Sequence, residues 1–159
     1  MRLAAALALL LCACAPPSLD FTLPDLDGNP VTPLRNGNVV VVAFWATWCG
    51  PCQRELREMN EMYERLHPRG LELYAISTDG PETAGEVERW VQENHYAFPV
   101  LVDANKRLFT SYSRTGGIPY MLIFDGQGTL IDERTGYHPD GIMALESFLE
   151  GILPPTGPG

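Results

Sequence analysis

The chain has 159 residues, of which 45% are hydrophobic and 19% are charged, as expected for one globular domain. Its 11 basic residues stand against 20 acidic ones, for a net charge of −9. This excess of acid argues against binding to nucleic acid or to an anionic membrane surface, both of which need clusters of Lys and Arg. No apolar run approaches the roughly 20 residues that span a bilayer, so we do not expect an integral membrane protein.

The N-terminal segment has the layout of a secretory signal, with Arg2 followed by nine apolar residues and then small residues. Leu11-Cys12-Ala13-Cys14 resembles a bacterial lipobox, in which the last cysteine is lipidated and becomes the new N-terminus. We therefore predict a lipoprotein-type signal peptide over 1–13, a tether over 14–18 and a periplasmic location in which lipid on Cys14 anchors the protein to a membrane. A plain signal sequence or a misassigned start is the alternative.

The rest of the chain alternates between predicted strands and helices. In order, we predict a hairpin within 21–32, a strand over 39–45, a helix over 52–66, a strand over 71–77, a helix over 81–94, a short strand over 98–102, a turn or helix through 108–112, strands over 120–124 and 130–135, and a helix over 140–152. This order predicts an α/β fold with a central mixed β-sheet flanked by helices, in a domain over 19–153. A disordered tail is expected over 154–159.

The cysteines point to chemistry rather than to a structural framework. Cys12 lies in the segment that would be removed and Cys14 would carry lipid, which leaves Cys49 and Cys52 as one pair. Two cysteines three residues apart close only a trivial loop, so the pair serves a reaction or a metal. Half a zinc site is the metal interpretation, but His67, His95 and His138 do not pair at ligand spacing, and no metal is predicted.

The pair lies where the strand over 39–45 is predicted to give way to a helix. The first sulfur of such a motif lies near the positive end of the helix dipole, which lowers the pKa of a cysteine thiol from about 8.5 to roughly 3.5–7.5. Cys49 is therefore the predicted nucleophile. Cys52, one turn into the helix, is predicted to be buried and to resolve the mixed disulfide by attacking Cys49. Pro51 is compatible with the first turn, where N–H groups have no partner within the helix.

The motif also carries a resemblance to a known family. Residues 44–52 (FWATWCGPC), with Gly117-Ile118-Pro119 before a strand, resemble the thioredoxin superfamily and, within it, the exported thiol-disulfide oxidoreductases of the TlpA/ResA type. Residues 21–28, Glu55, the insert over 80–94 and residues 98–103, 124–128 and 136 follow in family order. The resemblance covers about residues 19–152 and implies a thioredoxin-like fold, with an N-terminal β-hairpin and a helical insert after the second core strand.

The resemblance also implies roles for residues around the cysteines. Pro119 should follow a cis peptide bond, with Ile118 facing the disulfide, where the extended backbone of a substrate can pair beside Cys49. A proline that merely starts a strand is the alternative. Trp48 is expected to cover one side of the active site, unless it is a core tryptophan. Gly50, Pro51 and Glu55 are expected to support the site.

Three positions depart from the relatives. Ala43 stands where many thioredoxins bury an acid that accepts the proton of the second cysteine; Asp79 could serve instead, or could only cap the next helix. Arg57 stands where relatives often have proline. Gly50-Pro51 is the thioredoxin dipeptide rather than the pair frequent in the family, so redox direction cannot be inherited from the resemblance.

The function that the resemblance implies is that of a protein thiol-disulfide oxidoreductase. We favour a membrane-tethered periplasmic reductase that works through the Cys49–Cys52 dithiol with no other cofactor. Its expected partners are exported proteins with disulfides, such as the apocytochrome c of cytochrome c maturation or copper-site proteins, and a membrane thiol donor of the CcdA/DsbD kind. Nucleic acid is not expected as a partner, and the protein should be a monomer.

Other functions on the same scaffold remain open at this point. One is a disulfide-forming oxidase, against which Gly50-Pro51 argues mildly. A second is a Cu(I)-binding or delivery module that uses both thiolates, with His138 as an unsupported further ligand. A peroxidase of the peroxiredoxin type is disfavoured, because Val42 and Ala46 stand where that motif needs proline and threonine.

Overall fold

The computed structural model of the protein describes residues 19–33 and 36–155. The predicted signal peptide over 1–13, the tether over 14–18 with its lipidation site Cys14, and residues 156–159 of the predicted tail lie outside the described residues. Within the described part of the chain, no helix has the length and apolar character needed to cross a bilayer.

The described residues form seven strands and four α-helices in the predicted order. They are β1 (Leu23–Pro24), β2 (Pro30–Val31), β3 (Val39–Trp45), α1 (Gly50–Leu66), β4 (Leu71–Ser77), α2 (Ala84–Asn94), β5 (Val100–Val102), α3 (Arg107–Tyr112), β6 (Tyr120–Phe124), β7 (Leu130–Thr135) and α4 (Gly141–Ile152), with a 3-10 turn at His67–Arg69 after α1. Three predicted bounds are wrong by two or more residues. α1 begins at Gly50 rather than at Cys52, because Cys49 is its N-cap residue. α2 begins three residues after Pro81, and β5 begins only at Val100, because Pro99 has no N–H group to donate to a strand ladder.

The central sheet has five strands in the order β5-β4-β3-β6-β7. β3, β4 and β5 are parallel, whereas β6 and β7 run antiparallel to their neighbours, which confirms the mixed sheet. β1 and β2 form the N-terminal hairpin, and Asp25 bridges it to Leu101 at the β5 side of the sheet. α2, inserted after β4, is the predicted helical insert.

β3 is buried along its whole length, since the sheet has a hydrophobic core on each face. Alternate residues of the run point to opposite faces, as in any strand. One core packs α1 and α4 on the sheet and contains Val41, Trp45 and both cysteines of the pair. The other core packs α3 and the segment that precedes β1, and it contains Val42 and Phe44.

The topology brings three loops to one end of the sheet. β3 and β4 end side by side, with Trp45 paired to Ser77, and β6 starts opposite Phe44. The loops 46–49, 78–80 and 117–119 therefore meet there, at what we call the cysteine edge. At the opposite end, which we call the far edge, residues 36–38 meet 69–70 and the β6–β7 turn at 125–128.

Candidate active site

Cys49 and Cys52 form a disulfide at the start of α1, on the cysteine edge. Cys49 is the N-cap residue of the helix, and its Sγ accepts a hydrogen bond from the backbone N–H of Cys52 at 3.3 Å. The Cα atoms of the two cysteines are 5.3 Å apart. Cys49 is 6% exposed and Cys52 is 1% exposed, so Cys49 is the more exposed of the two cysteines.

The start of α1 provides an electrostatic environment suited to a thiolate. The first turn contains Pro51 and no acidic residue, so no carboxylate there offsets the positive end of the helix dipole. Free N–H groups of the first turn also lie close to the sulfur of an N-cap cysteine. This arrangement favours thiolate over thiol at Cys49 once the disulfide is reduced.

Asp79 lies beside this helix start, in a cluster with the buried Ser77 and the half-buried Thr47. One carboxylate oxygen, Oδ2, accepts from the backbone N–H of Thr47 at 2.9 Å and from the Ser77 hydroxyl at 2.8 Å. The other, Oδ1, accepts from the Thr47 hydroxyl at 2.6 Å. The alternative that Asp79 caps the next helix is wrong, because α2 begins at Ala84 with Thr83 as its N-cap residue.

Pro119 and Ile118 lie on the same edge, before β6. The peptide bond between them is cis, as the resemblance implied. Pro119 is buried, and its carbonyl oxygen accepts a hydrogen bond from the Gly136 N–H at 2.8 Å. Ile118 is half-buried and packs against the core that contains Cys49 and Cys52.

Trp48 is the exposed aromatic residue of the site. Its side chain is 65% exposed, so the alternative of a core tryptophan is wrong. Pro51, on the first turn of α1, is also exposed, and Gly50 between the cysteines is half-buried. Apolar surface therefore surrounds a disulfide that is itself almost covered.

Glu55 occupies a cleft next to the cysteines rather than the cysteine edge itself. The cleft has a volume of about 500 Å³ and lies between α1, β7 and the start of α4, and its other lining residues include Met121, Asp132, Arg134 and His138. Burial raises the pKa of Glu55 to about 7, and the nearby Glu58 carboxylate adds to the rise, whereas Arg134 opposes it. A carboxyl group that titrates near neutral pH therefore lies one turn beyond Cys52.

Residues 19–33 and 36–155 contain no group of three or more His, Cys, Asp and Glu placed to hold a metal ion. His138 lies in the Glu55 cleft. Thr47 and Ser77 are not among the predicted site residues, although both are hydroxyl residues at or near the ends of buried strands, where a sheet edge gathers polar groups. Arg134 is not among them either, because no local pattern connects it with α1.

Comparison with known proteins gives concordant matches. The model of the AhpC/TSA family matches residues 14–133. The thiol-disulfide oxidoreductase ResA of Bacillus cereus is 31% identical over 137 residues, which are 85% of this chain and 76% of the relative. The ResA of Geobacillus thermodenitrificans is 33% identical over 137 residues, covering 85% of this chain and 75% of the relative. A Chlorobium tepidum structure assigned as the thiol:disulfide interchange protein DsbE superposes with a TM-score of 0.71 at 25% identity, covering 87% and 99% of the two chains.

Proposed function

The chain belongs to the AhpC/TSA family and, within it, to the ResA-type thiol-disulfide oxidoreductases, and from this membership we propose that it is an exported, membrane-tethered reductase of protein disulfides. The observation that carries the proposal is the Cys49–Cys52 disulfide at the start of α1, with Cys49 more exposed than Cys52. The pair itself carries the electrons, and the proposal includes no further cofactor.

The reaction is a two-step exchange in which two electrons pass from the enzyme to its substrate. The Cys49 thiolate attacks one sulfur of the substrate disulfide, which forms a mixed disulfide and releases the other substrate sulfur as a thiolate. Cys52 loses its proton and attacks the Sγ of Cys49, so the Cys49–Cys52 bond forms as the mixed disulfide breaks. The substrate leaves with two thiols, and the enzyme holds the disulfide.

The different surroundings of the two cysteines support these roles. Cys49, as the N-cap residue, has the helix dipole to stabilise its thiolate and is the more exposed of the two cysteines. Cys52 lies on the inner side of α1, in the core that also contains Leu56 and Met59, where a substrate cannot reach it. Cys49 is therefore the group that meets the substrate, and Cys52 the group that resolves the intermediate.

Exposed groups around Cys49 support a protein substrate. The Trp48 side chain offers apolar area, and the cis peptide bond before Pro119 stands where the family resemblance implies that an extended substrate chain pairs beside Cys49. By family resemblance, the proposed substrates are exported proteins with disulfides, with apocytochrome c or copper-site proteins as the finer candidates. The proposed electron donor is a membrane thiol carrier of the CcdA/DsbD kind.

The direction of the exchange is tested by the reduction potential of the Cys49–Cys52 pair, measured by equilibration with a glutathione buffer. For a reductase we expect a value near the thioredoxin level of about −270 mV. A value near the DsbA level of about −120 mV would instead identify a protein that donates disulfides. Absence of any reversible two-electron couple would overturn the proposed function altogether.

The roles of the two cysteines are tested by trapping. Cys52→Ser should accumulate a mixed disulfide on Cys49, because the resolving sulfur is gone, whereas Cys49→Ser should accumulate none. The species are separated by non-reducing electrophoresis after incubation with a disulfide-bearing protein. Equal trapping by both variants would show that the nucleophile and the resolving cysteine are wrongly assigned.

The proposed tether is tested independently of the redox chemistry. Cys14→Ser should move the protein from the membrane fraction to the soluble fraction of the periplasm, since two or more acyl chains are what holds it. The matched control is Cys12→Ser, which changes a cysteine of the same segment that would be removed with the signal peptide. A wild-type protein found in the soluble fraction would overturn the lipid anchor.

A further inference from the structure

The exchange mechanism assigns no role to the hydrogen bonds by which Thr47 and Ser77 surround the Asp79 carboxylate. Asp79 is 1% exposed, and burial of a carboxylate is unfavourable unless hydrogen bonds replace the lost water. Here three donors converge on its two oxygens: one backbone N–H and two hydroxyl groups. The backbone N–H of Asp79 in turn donates to the Ser77 hydroxyl at 3.1 Å, which closes a ring at the end of β4.

Thr47 is held through each of its polar atoms. Its N–H and its hydroxyl both donate to Asp79, and its carbonyl oxygen accepts a hydrogen bond from the side-chain amide of Gln53 on the second turn of α1. Thr47 therefore connects the end of β4 to α1 through the loop that joins β3 to the helix. A residue with all its hydrogen-bonding groups engaged has little freedom to rotate.

This loop is the one that presents Cys49. Thr47 precedes Cys49 by two residues, and the N–H of Cys49 donates to the carbonyl oxygen of Ala46 at 3.1 Å, which closes a tight turn around Thr47. On the other side of the turn, Thr78 extends the sheet by donating its N–H to the Trp45 carbonyl at 2.8 Å. The position of the Cys49 sulfur thus depends on the turn that Asp79 secures.

We propose that Asp79 and Thr47 are positioning residues for the thiol-disulfide exchange: they hold the turn 46–49 so that the Cys49 sulfur stays opposite that of Cys52. A turn already held in place has less conformational entropy to lose when the disulfide closes, so the disulfide forms more readily. In this role Asp79 acts through its hydrogen bonds to Thr47 and does not need to accept the proton of Cys52. The inference rests on the exchange function proposed above.

The experiment measures the equilibrium constant for oxidation of the Cys49–Cys52 dithiol by glutathione disulfide. Thr47→Val removes the hydroxyl and keeps the Asp79 charge, whereas Asp79→Asn keeps the shape and removes an acceptor and the charge. Each should lower the constant roughly tenfold, which corresponds to a potential about 30 mV less negative. The double variant should show no more than the larger single effect, because both changes break the same contact.

Two matched variants separate positioning from burial and from loss of the fold. Thr47→Ser retains the N–H and the hydroxyl, so its constant should stay within twofold of the wild type. Asp103→Asn changes an equally buried carboxylate at the end of β5, whose Oδ2 accepts from the Phe109 N–H at 2.8 Å, away from the cysteines. It should lower stability without changing the constant.

The alternative that Asp79 accepts the proton of Cys52 makes a different prediction. In that case Asp79→Asn would slow resolution of the mixed disulfide in a pH-dependent way, whereas Thr47→Val would leave both the rate and the constant unchanged. That pattern, or additive effects of Asp79→Asn and Thr47→Val in the double variant, would overturn the positioning role.

If Asp79→Asn does not fold, Thr47→Val and Ser77→Ala provide the same test, and an unchanged equilibrium constant in both variants overturns the proposal. A wild-type protein with no reversible couple would instead overturn the proposed function.

Discussion

The two ends of the central sheet are built in different ways. At the far edge, two backbone segments approach each other closely: a Cβ added to Gly126 would lie 2.4 Å from the Gly37 carbonyl oxygen, so the β6–β7 turn can reach residue 37 only because it carries glycine. The guanidinium Nε of Arg69 there donates to the Pro154 carbonyl at 3.0 Å. At the cysteine edge, by contrast, buried side chains make the contacts, and Asp79 is at their centre.

The two ends of the sheet therefore have different roles: contacts at the far edge stabilise the fold, whereas contacts at the cysteine edge affect the thiol-disulfide exchange. The approach of Gly126 to Gly37 depends on shape alone and lies at the opposite end of the sheet from the cysteines, so a substitution at Gly126 should change the free energy of unfolding and leave the exchange reaction intact. Hydrogen bonds at the cysteine edge depend on charge and on hydroxyl groups close to Cys49, so substitutions there should change reactivity. Substitutions at the two ends of the sheet test this division.

Gly126→Ala should be the most destabilising of these changes. The added methyl group would overlap the Gly37 backbone, which must move, and such overpacking typically lowers the free energy of unfolding by about 1–3 kcal/mol. The measurement is urea unfolding of the oxidised protein. Gly85→Ala is the control: its new Cβ on α2 meets nothing within 4 Å, and loss of a helical glycine should stabilise by about 0.5–1 kcal/mol.

The same variant should leave the reduction potential of Cys49–Cys52 at its wild-type value. If Gly126→Ala shifted the potential as much as Thr47→Val does, the far edge would be coupled to the chemistry, and the division between the two ends of the sheet would fail.

Glu55→Gln should change how stability depends on pH. The pKa of Glu55 is raised to about 7, mainly by burial, from an unfolded-state value of 4.5. The folded protein therefore binds more protons than the unfolded chain between these pKa values, and stability falls as pH rises from about 4.5 to 7. The shift corresponds to at most about 3 kcal/mol. Glu55→Gln removes this loss, so the variant should gain on the wild type between pH 5 and pH 8.

The comparison of the two proteins at each pH cancels the contribution of the histidines, which both carry. Glu58→Gln is the matched control on the same helix, because its carboxylate only adds to the rise of the Glu55 pKa. It should reduce the pH dependence without abolishing it. A constant difference between Glu55→Gln and wild type across pH 5–8 would show that Glu55 does not titrate in this range.

Trp48→Ala should weaken the reaction with protein substrates by roughly tenfold in kcat/KM, about 1.4 kcal/mol. Large exposed aromatic side chains dominate protein contacts, and this one belongs to the residue that directly precedes Cys49 in the chain. Reaction with the small disulfide of glutathione should stay within twofold, and stability within about 0.5 kcal/mol. Met143→Ala removes an equally exposed apolar side chain, 68% exposed on α4, and should change neither rate. An equal loss with both disulfides would place Trp48 in the chemistry itself.

The local patterns of the sequence were enough to predict the sheet and the cysteine pair. The apolar run over 39–45 predicts a strand buried on both faces, and a C-x-x-C motif at the start of a helix predicts thiol-disulfide exchange. Contacts between distant segments were not predictable in the same way. The hydrogen bonds of Thr47 to Asp79 join residues 32 positions apart and exist only because β3 and β4 pair in register.

Asp79 also shows why one polar residue admits several interpretations. Asp79 and Thr83 are both residue types that commonly cap helices, and only the observed start of α2 shows that Thr83 takes the N-cap position, where its hydroxyl donates to the Gly80 carbonyl rather than capping the helix. Glu55 is a similar case: its raised pKa depends on burial in a cleft whose other wall, at Arg134, comes from β7. The spacing of residues along α1 does not indicate which residues of β7 line the same cleft as Glu55.

The smallest effect is expected at the ion pair of Arg65 and Glu146, which connects the far half of α1 to α4. The guanidinium donates to both carboxylate oxygens, from Nη2 at 2.7 and 2.8 Å and from Nε to Oε1 at 2.9 Å, but the side chains are 55% and 23% exposed. A double-mutant cycle of Arg65→Met and Glu146→Gln should give a coupling energy of about 0.3–1 kcal/mol, because water and salt screen exposed charges. In about 1 M NaCl most of it should disappear. A coupling that persists in high salt would show that the pair is less screened than its exposure implies. A change in the Cys49–Cys52 potential in either variant would mean that α1 transmits changes from its far end to its first turn, and reactivity would then no longer be confined to the cysteine edge.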